Sequence, residues 1–316
     1  MAKRLKILLT GANGYLGEYF INHFKLSEYE IHRITKDQLN LILDLYKNNK
    51  LDFSASKLFL NRKFDILIHA AALPYKECEN EPLKAKKINT LLTEILSQYC
   101  LNNNCYFIFF SSVQVYGTIL DGIYSEESNV SPDRVYSITK AKAEENLIEK
   151  FSSYSLKGCI LRIGNIVGLP HSINSSGWQL FSNSCIKEAF FKKHILIKNN
   201  PSLRRNFLSI DLLMALMEKI LQDFANCNLN IPEILNVTSG NSKTLFEYSK
   251  LVSKNYSYLF DQNIAILKDE SLVSNIPYSV INNKKLLSYL AQSDQYPIEI
   301  PIKKIFKFLN SSNILY

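Results

Sequence analysis

Three of the ten glycines in this chain fall within seven positions, at Gly11, Gly14 and Gly17. They lie in Thr10-Gly11-Ala12-Asn13-Gly14-Tyr15-Leu16-Gly17, directly after the apolar run Leu5–Thr10. Residues 15–26 follow, with Leu16, Tyr19, Phe20 and Phe24 at helical spacing. A strand turning this tightly into a helix restricts the fold. Gly11 permits the turn, Gly14 lets the backbone approach a pyrophosphate, and Gly17 lets the helix pack closely on the strand. The first N–H groups of such a helix point at a phosphate. Gly11, Asn13, Gly14, Tyr15, Leu16 and Gly17 are therefore predicted to bind a dinucleotide.

The next segments alternate in the same way. Residues 30–34, 65–70, 105–111 and 158–163 have the pattern of strands, and 83–101 and 136–151 that of helices. Strands apolar on both faces suit a parallel sheet covered by helices. The predicted fold class is α/β: a Rossmann-type, doubly wound parallel sheet with a smaller C-terminal substrate-binding lobe. Residues 1–165 form the NAD(P)-binding part with the catalytic residues. Residues 166–316 form mainly the lobe, partly interleaved with the sheet. Within it, 182–193, 211–224 and 245–254 are expected as helices and 234–237 as a strand.

Composition excludes several classes. Of 316 residues, 47% are hydrophobic and 21% charged, an ordinary globular balance. No apolar run reaches the roughly 18 residues of a membrane span. The N-terminal apolar run is short and enters the glycine turn, unlike a signal peptide. A cytoplasmic protein with no membrane partner is expected. The net charge of +8 is spread along the chain, with basic pairs such as Lys192-Lys193 and Arg204-Arg205 but no dense stripe. That pattern suits anionic small ligands and gives no expectation of nucleic acid. Six cysteines and five histidines show no metal-binding spacing, so no metal site and free thiols are expected.

The end of the second strand reads Ile31-His32-Arg33-Ile34-Thr35-Lys36-Asp37. Arg33 and Lys36 suit a 2′-phosphate, which favours NADP. Asp37 can take the place of an acid on a ribose, which keeps NAD open. Further along, Ser111-Ser112-Val113-Gln114-Val115-Tyr116-Gly117 is followed by Tyr136-Ser137-Ile138-Thr139-Lys140. Tyr136 and Lys140, at i and i+4, share a helix face. A free phenol has a pKa of about 10, and a neighbouring ammonium favours its phenolate. Ser112, Tyr136 and Lys140 thus form a set able to move a proton on a substrate oxygen while hydride passes to or from nicotinamide.

With these motifs, the chain resembles the extended short-chain dehydrogenase/reductases, also called the NAD-dependent epimerase/dehydratase family. The resemblance runs through TGANGYLG at 10–17, HAAA at 69–72, SSVQVYG at 111–117, YSITK at 136–140, LRIGNIVGLP at 161–170 and RRNFLSIDLLMAL at 204–216. Looser matches follow at 235–252 and 279–290. It implies that Ser112, Tyr136 and Lys140 are catalytic and that Asn89 helps hold a water chain to the lysine. It also implies that Asp44 and Leu45 lie near the adenine, and that Ala70 and Ala71 form a strand end against the cofactor. Ser112, Asn165 and Arg205 would contact a nucleoside-diphosphate sugar. A homodimer is expected. Its four-helix interface would come from helices 83–101 and 136–151, whose apolar residues, including Ile88, Leu91, Leu92, Ile95 and Leu96, exceed one narrow stripe. Departures from the family pattern are Asn206 for an Asp, Ser209 for a His, and no arginine after Arg205.

The expected activity is reduction of a 4-keto (deoxy)sugar nucleotide with NADPH. The stretch Thr35-Lys36-Asp37-Gln38-Leu39-Asn40-Leu41 looks like the corresponding stretch of NADPH-dependent GDP-L-fucose synthases. The alternative is a nucleotide-sugar 4-epimerase with bound NAD, and a third reading is a non-catalytic nucleotide-sensing protein on the same fold. Dehydratases of the family carry acids just after the catalytic Ser or Thr. Val113 and Gln114 stand there and cannot transfer protons.

Overall fold

The computed structural model describes residues 4–24, 28–48, 50, 63–291 and 295–311. Six strands form the central sheet: β1 (Leu5–Thr10), β2 (Tyr29–Ile34), β3 (Ile66–His69), β4 (Tyr106–Ser112), β5 (Gly158–Ile163) and β6 (Ile234–Val237). Their spatial order is β2-β1-β3-β4-β5-β6. β1 runs parallel to β2 and β3, and β3 parallel to β4. Every residue of β3, β4 and β5 is buried, as a parallel sheet clad on both faces requires. The strand order reverses at β1 and β3, the place where sheets of this kind bind ligands.

The helices introduced here are α1 (Tyr15–His23), α2 (Lys36–Lys47), α3 (Tyr75–Asn80), α4 (Leu92–Asn103) and α5 (Val135–Tyr154). The core joins Leu8, Leu67, Phe107 and Ile160 of the sheet to Leu92, Leu96 and Tyr99 of α4 and Leu147 of α5. Burying each such side chain is worth about 1.5–3 kcal/mol. α2 was not anticipated. A capping box starts it: Thr35 Oγ1 accepts from Gln38 N at 3.2 Å, and Gln38 Oε1 accepts from Thr35 N at 2.9 Å.

The apolar residues named for the expected dimer interface are covered, wholly or partly, within the chain itself. α4 packs against β4, α2 and α5, so it needs more than one apolar face. Leu92, Ile95 and Leu96 are buried in the sheet core, with Leu91 packed against it. Ile88 packs with Leu73, Cys78 and Ala85. The helix expected over 83–101 is also interrupted, with a π-helical turn at Lys86–Leu91.

By its internal packing the chain divides into two units. The first comprises Met1–Thr118, Asn129–Arg162 and Pro232–Ile234, and the second Ile119–Ser128, Ile163–Ile231 and Leu235–Tyr316. The second unit contains α6 (Phe181–Lys192), α7 (Ile210–Ala225), α8 (Leu245–Phe260) and α9 (Glu299–Ser311). Ile186, Tyr248, Val252, Ile302 and Phe306 centre its core. Its segment Gly122–Tyr124 pairs in parallel with Ser279–Ile281, a pairing of distant short strands that no sequence periodicity announces. Among the described residues no helix is long and apolar enough to cross a membrane, and no cluster of His, Cys, Asp and Glu could hold a metal. All six cysteines are free thiols.

One buried hydrogen-bond chain ties the ends of β1 and β3 to α4. Ala71 N–H donates to Thr10 Oγ1 at 3.2 Å, which lies 2.7 Å from His69 Nδ1. His69 Nε2 lies 3.1 Å from Thr93 Oγ1, and that hydroxyl donates to the Asn89 carbonyl at 2.8 Å. The Thr93 proton is therefore committed, so His69 must donate from Nε2 and accept at Nδ1. Burial, and secondarily Lys140, lower its pKa to about 3. The unfolded chain takes up this proton below about pH 6.5 and the native chain refuses it, so acid weakens the fold. The stability advantage of wild type over His69→Gln is thus predicted to shrink as pH falls from 7 to 4. Urea midpoints across that range measure it. A pH-independent advantage would mean that His69 titrates normally.

Candidate active site

The turn from β1 into α1 is closed against the end of β3. Gly11 has φ of +70°, and a Cβ there would lie 2.6 Å from Ala71 N. A Cβ on Gly17 would lie 2.1 Å from the Gly11 carbonyl oxygen. Only glycine fits either place. Gly14 caps α1 without any side-chain hydrogen bond, which leaves the helix N-terminus to backbone N–H groups.

Beside this turn lies a cavity of about 300 Å³. Ile34, Leu39, Leu43 and Leu92 give it apolar walls, and Asn13, Lys36, Asn40 and Glu77 give it polar groups. An apolar slot, a glycine turn and a cation form a set that fits a dinucleotide. Of the predicted cofactor residues, Gly11, Asn13, Gly14, Lys36, Ala70 and Ala71 line this cavity. Tyr15, Leu16 and Gly17 form the first turn of α1. Arg33 is exposed on β2. Asp44 and Leu45 lie on α2 and are not part of the cavity wall, which takes Leu39, Asn40 and Leu43 from that helix instead.

The predicted catalytic set is brought together by one face of α5. Tyr136, Lys140 and Glu144 follow at intervals of four, so they align along the helix. They meet the last residues of β4. Ser112 acts on the Tyr136 phenol in the direction of the phenolate. Lys140 Nζ donates to the Phe110 carbonyl at 2.7 Å and lies 4.5 Å from the centre of the Phe109 ring. The Ser111 hydroxyl donates to Glu144 Oε1. Glu144 Oε2 accepts from Arg162 Nε at 2.9 Å and Nη2 at 2.7 Å, and Arg162 Nη1 donates to the Tyr116 hydroxyl at 2.8 Å.

Burial decides the proton affinities. It pushes the Tyr136 phenol up to about 12, against the Ser112 hydrogen bond that favours the phenolate. It lowers Lys140 to about 8, with Glu144 acting in the opposite direction. The Lys140 ammonium is bonded to a backbone carbonyl. At neutral pH Tyr136 is a protonated donor.

Asn89 enters through the π-helical turn, a distortion common at functional sites. Its Oδ1 accepts from Leu73 N at 2.7 Å, and its Nδ2 donates to Thr139 Oγ1 at 3.0 Å, one residue from Lys140. Nδ2 also lies 3.4 Å from the Cys78 sulfur. Tyr136 packs with Leu73 and Ile88, which also line the cofactor cavity.

Asn165 and Arg205 lie in the second unit. Asn165 N donates to the Asn206 carbonyl at 2.7 Å, and Arg205 Nη1 donates to the Arg204 carbonyl at 2.9 Å. Arg204 stacks on Tyr278 at 4.7 Å. The two departures from the family pattern have local structural uses. Asn206 Oδ1 accepts from Ile281 N at 3.4 Å, and Ser209 caps α7 by accepting from Asp211 N at 3.2 Å.

Sequence reasoning missed His69, Cys78, Glu144 and Arg162. Two of them carried a signal. Glu144 continues the four-residue spacing of Tyr136 and Lys140. Arg162 is a charge inside the otherwise apolar strand GCILRI, where only a paired charge is tolerated.

Known proteins agree with this architecture. The chain is 28% identical over 283 residues to a dTDP-D-glucose 4,6-dehydratase of Dictyostelium discoideum, a match covering 74% of this chain and 62% of that protein. It therefore spans less than two thirds of that relative's length. A UDP-glucose 4-epimerase structure from Thermotoga maritima, solved with UDP-glucose, superposes with a TM-score of 0.77 at 17% identity, covering 98% of this chain and 99% of that one. RMD from Pseudomonas aeruginosa, complexed with NADPH, gives a TM-score of 0.73 at 17% identity, covering 96% and 98%. Residues 7–237 match the model of the NAD dependent epimerase/dehydratase family. With its glycine turn, its Ser-Tyr-Lys set and this match over most of its length, the chain belongs to the NAD-dependent epimerase/dehydratase family.

Proposed function

We propose that the protein reduces the 4-keto group of a (deoxy)sugar carried on a nucleoside diphosphate, with NADPH as the reductant. The observation that carries this reading is Lys36 in the wall of the cavity beside the glycine turn, a cation suited to a 2′-phosphate, together with a Tyr136 phenol that desolvation favours in its protonated form. Reduction of a carbonyl needs a proton donor, whereas a reaction that begins by oxidising an alcohol needs a base. Val113 and Gln114 offer no acid for elimination of water.

Gly11, Gly14 and the start of α1 hold the pyrophosphate, and Ile34, Leu39 and Leu43 offer apolar surface to the adenine. Lys36, in the cavity wall, would hold the 2′-phosphate. NADPH, when bound, supplies hydride to the carbonyl carbon. Ser112 orients the carbonyl oxygen, and Tyr136 gives it a proton. Lys140, charged at neutral pH, stabilises the phenolate that remains. Arg205 and Asn165 bind the diphosphate and sugar. RMD is complexed with NADPH, whereas MoeE5 and a UDP-glucuronic acid 4-epimerase from Bacillus cereus are complexed with NAD. The similar epimerases support a second reading, 4-epimerisation with retained NAD.

The deciding assay follows NADPH oxidation with a panel of 4-keto nucleotide sugars, alongside isomerisation of a stable nucleotide sugar with no added cofactor. Oxidation alone is expected, and isomerisation alone would establish the epimerase. Tyr136→Phe is predicted to reduce turnover roughly 10²–10⁴-fold, the usual worth of a positioned proton donor, while cofactor affinity stays within about twofold. Near-normal turnover in that variant would remove Tyr136 from the chemistry.

Lys36 and Arg33 are predicted to differ. A charge-assisted hydrogen bond is worth about 1.5–3 kcal/mol, so Lys36→Ala should weaken NADPH binding roughly 10- to 100-fold. NADH binding should change little. Arg33→Ala, outside the cavity wall, should leave both unchanged. Calorimetric titration of both cofactors measures this, and equal losses of NADH and NADPH would contradict the assignment of Lys36.

A further inference from the structure

We infer that Lys243 binds the substrate's diphosphate together with Arg205, which it faces across a two-stranded ribbon. The identity of the ligand as a nucleoside-diphosphate sugar rests on the reading above, while the opposition of the two cations belongs to the protein alone.

Arg204–Arg205 and Lys243–Thr244 pair as antiparallel strands, with Lys243 opposite Arg205 and Thr244 opposite Arg204. Residues directly opposite share one face of such a ribbon, with Cβ atoms about 4.5–5.5 Å apart, and neighbours along a strand point to opposite faces. The two faces therefore differ. Arg204 has its partners within the chain: its guanidinium lies 4.7 Å from the centre of the Tyr278 ring, and its Nη1 lies 3.3 Å from Ser242 Oγ and 3.9 Å from Glu247 Oε2. Arg205 and Lys243 share the other face. Among the described residues the Lys243 side chain makes no hydrogen bond or ion pair. Glu247 feels its charge, but that carboxylate accepts from Thr244 N–H at 2.7 Å and is the one near Arg204.

The ribbon is held in place. Leu245 N and Phe246 N donate to the Leu203 and Pro201 carbonyls at 2.9 and 3.1 Å, and the Thr244–Glu247 capping box starts α8. On its other side, Asn165 pairs with Phe207, and Asn165 N donates to the Asn206 carbonyl at 2.7 Å. Asn165, Arg205 and Lys243 thus lie on three adjoining segments. Like charges directly opposite each other are destabilising, and a local rule broken at a fixed backbone position marks a functional site. Two linked phosphates remove the repulsion and accept charge-assisted hydrogen bonds from both side chains. A neutral ligand leaves the two cations opposed.

The test is calorimetric titration of the whole chain with UDP, dTDP and GDP, and separately with NADPH. Wild type should bind at least one of the three diphosphates. Lys243→Met, which removes the charge and keeps an unbranched side chain, should weaken that binding roughly 10- to 100-fold, the worth of one charge-assisted hydrogen bond. Lys243→Arg should restore most of it, and NADPH binding should be the same in all three proteins. Without ligand, the urea midpoint of Lys243→Met should equal or exceed that of wild type, because a repulsion has been removed. Unchanged diphosphate affinity in Lys243→Met would overturn the proposal. So would a wild type that binds none of the three diphosphates, equal losses of diphosphate and NADPH, or a lower urea midpoint, which would make Lys243 an element of stability. No turnover is involved, so failure here is distinct from failure of the reductase assay.

Discussion

The seating of α5 on the end of β4 is the constraint on which the site depends. Residues four apart on the helix meet consecutive residues of the strand, so one helix face sets the positions of Ser112, Tyr136 and Lys140 together. The seating is close, and desolvation has opposite consequences for the two titrating groups. It keeps the phenol protonated and makes the ammonium reluctant to hold its proton. A proton donor beside a barely stable cation is suited to a reaction in which negative charge appears on the phenol oxygen. The cation then gains a partner at the moment it is needed.

The second support is the chain of buried polar groups from Ala71 through Thr10, His69 and Thr93 to Asn89. It crosses from the glycine turn to the π-helical turn, and Asn89 continues it to Thr139 beside Lys140. The cofactor cradle and the catalytic helix are therefore joined by hydrogen bonds with defined donors, in addition to apolar packing. A neutral imidazole suits this place because it both donates and accepts. Its reluctance to protonate keeps that arrangement intact over the ordinary pH range.

Much of this was legible in the sequence, for identifiable reasons. The turn at 11–17 needs glycine on steric grounds, so its composition reveals its geometry. Strands β4 and β5 are apolar on both faces and stood out at almost their observed bounds. Tyr136 and Lys140 were visible because helix periodicity places them on one face. What escaped depends on pairing at a distance. Arg162 has meaning only beside Glu144, and the strand Gly122–Tyr124 only beside Ser279–Ile281. The apolar residues of α4 show the same dependence on distant partners. Periodicity shows that a helix has two apolar faces but not whether a neighbouring helix of the same chain covers the second. Desolvation of the Tyr136 phenol likewise has no signature in the sequence, whereas a lysine four residues away does.

The account's central claim is that Tyr136 protonates a carbonyl oxygen as hydride arrives at the same carbonyl group. The most direct measurement uses NADPH deuterated at the transferred position of the nicotinamide, together with a 4-keto nucleotide sugar, and locates the label in the product by NMR. The account predicts one deuterium at C4 of the sugar for each NADPH consumed, in wild type. Sugar isomerised with no label gained and no NADPH consumed would contradict it.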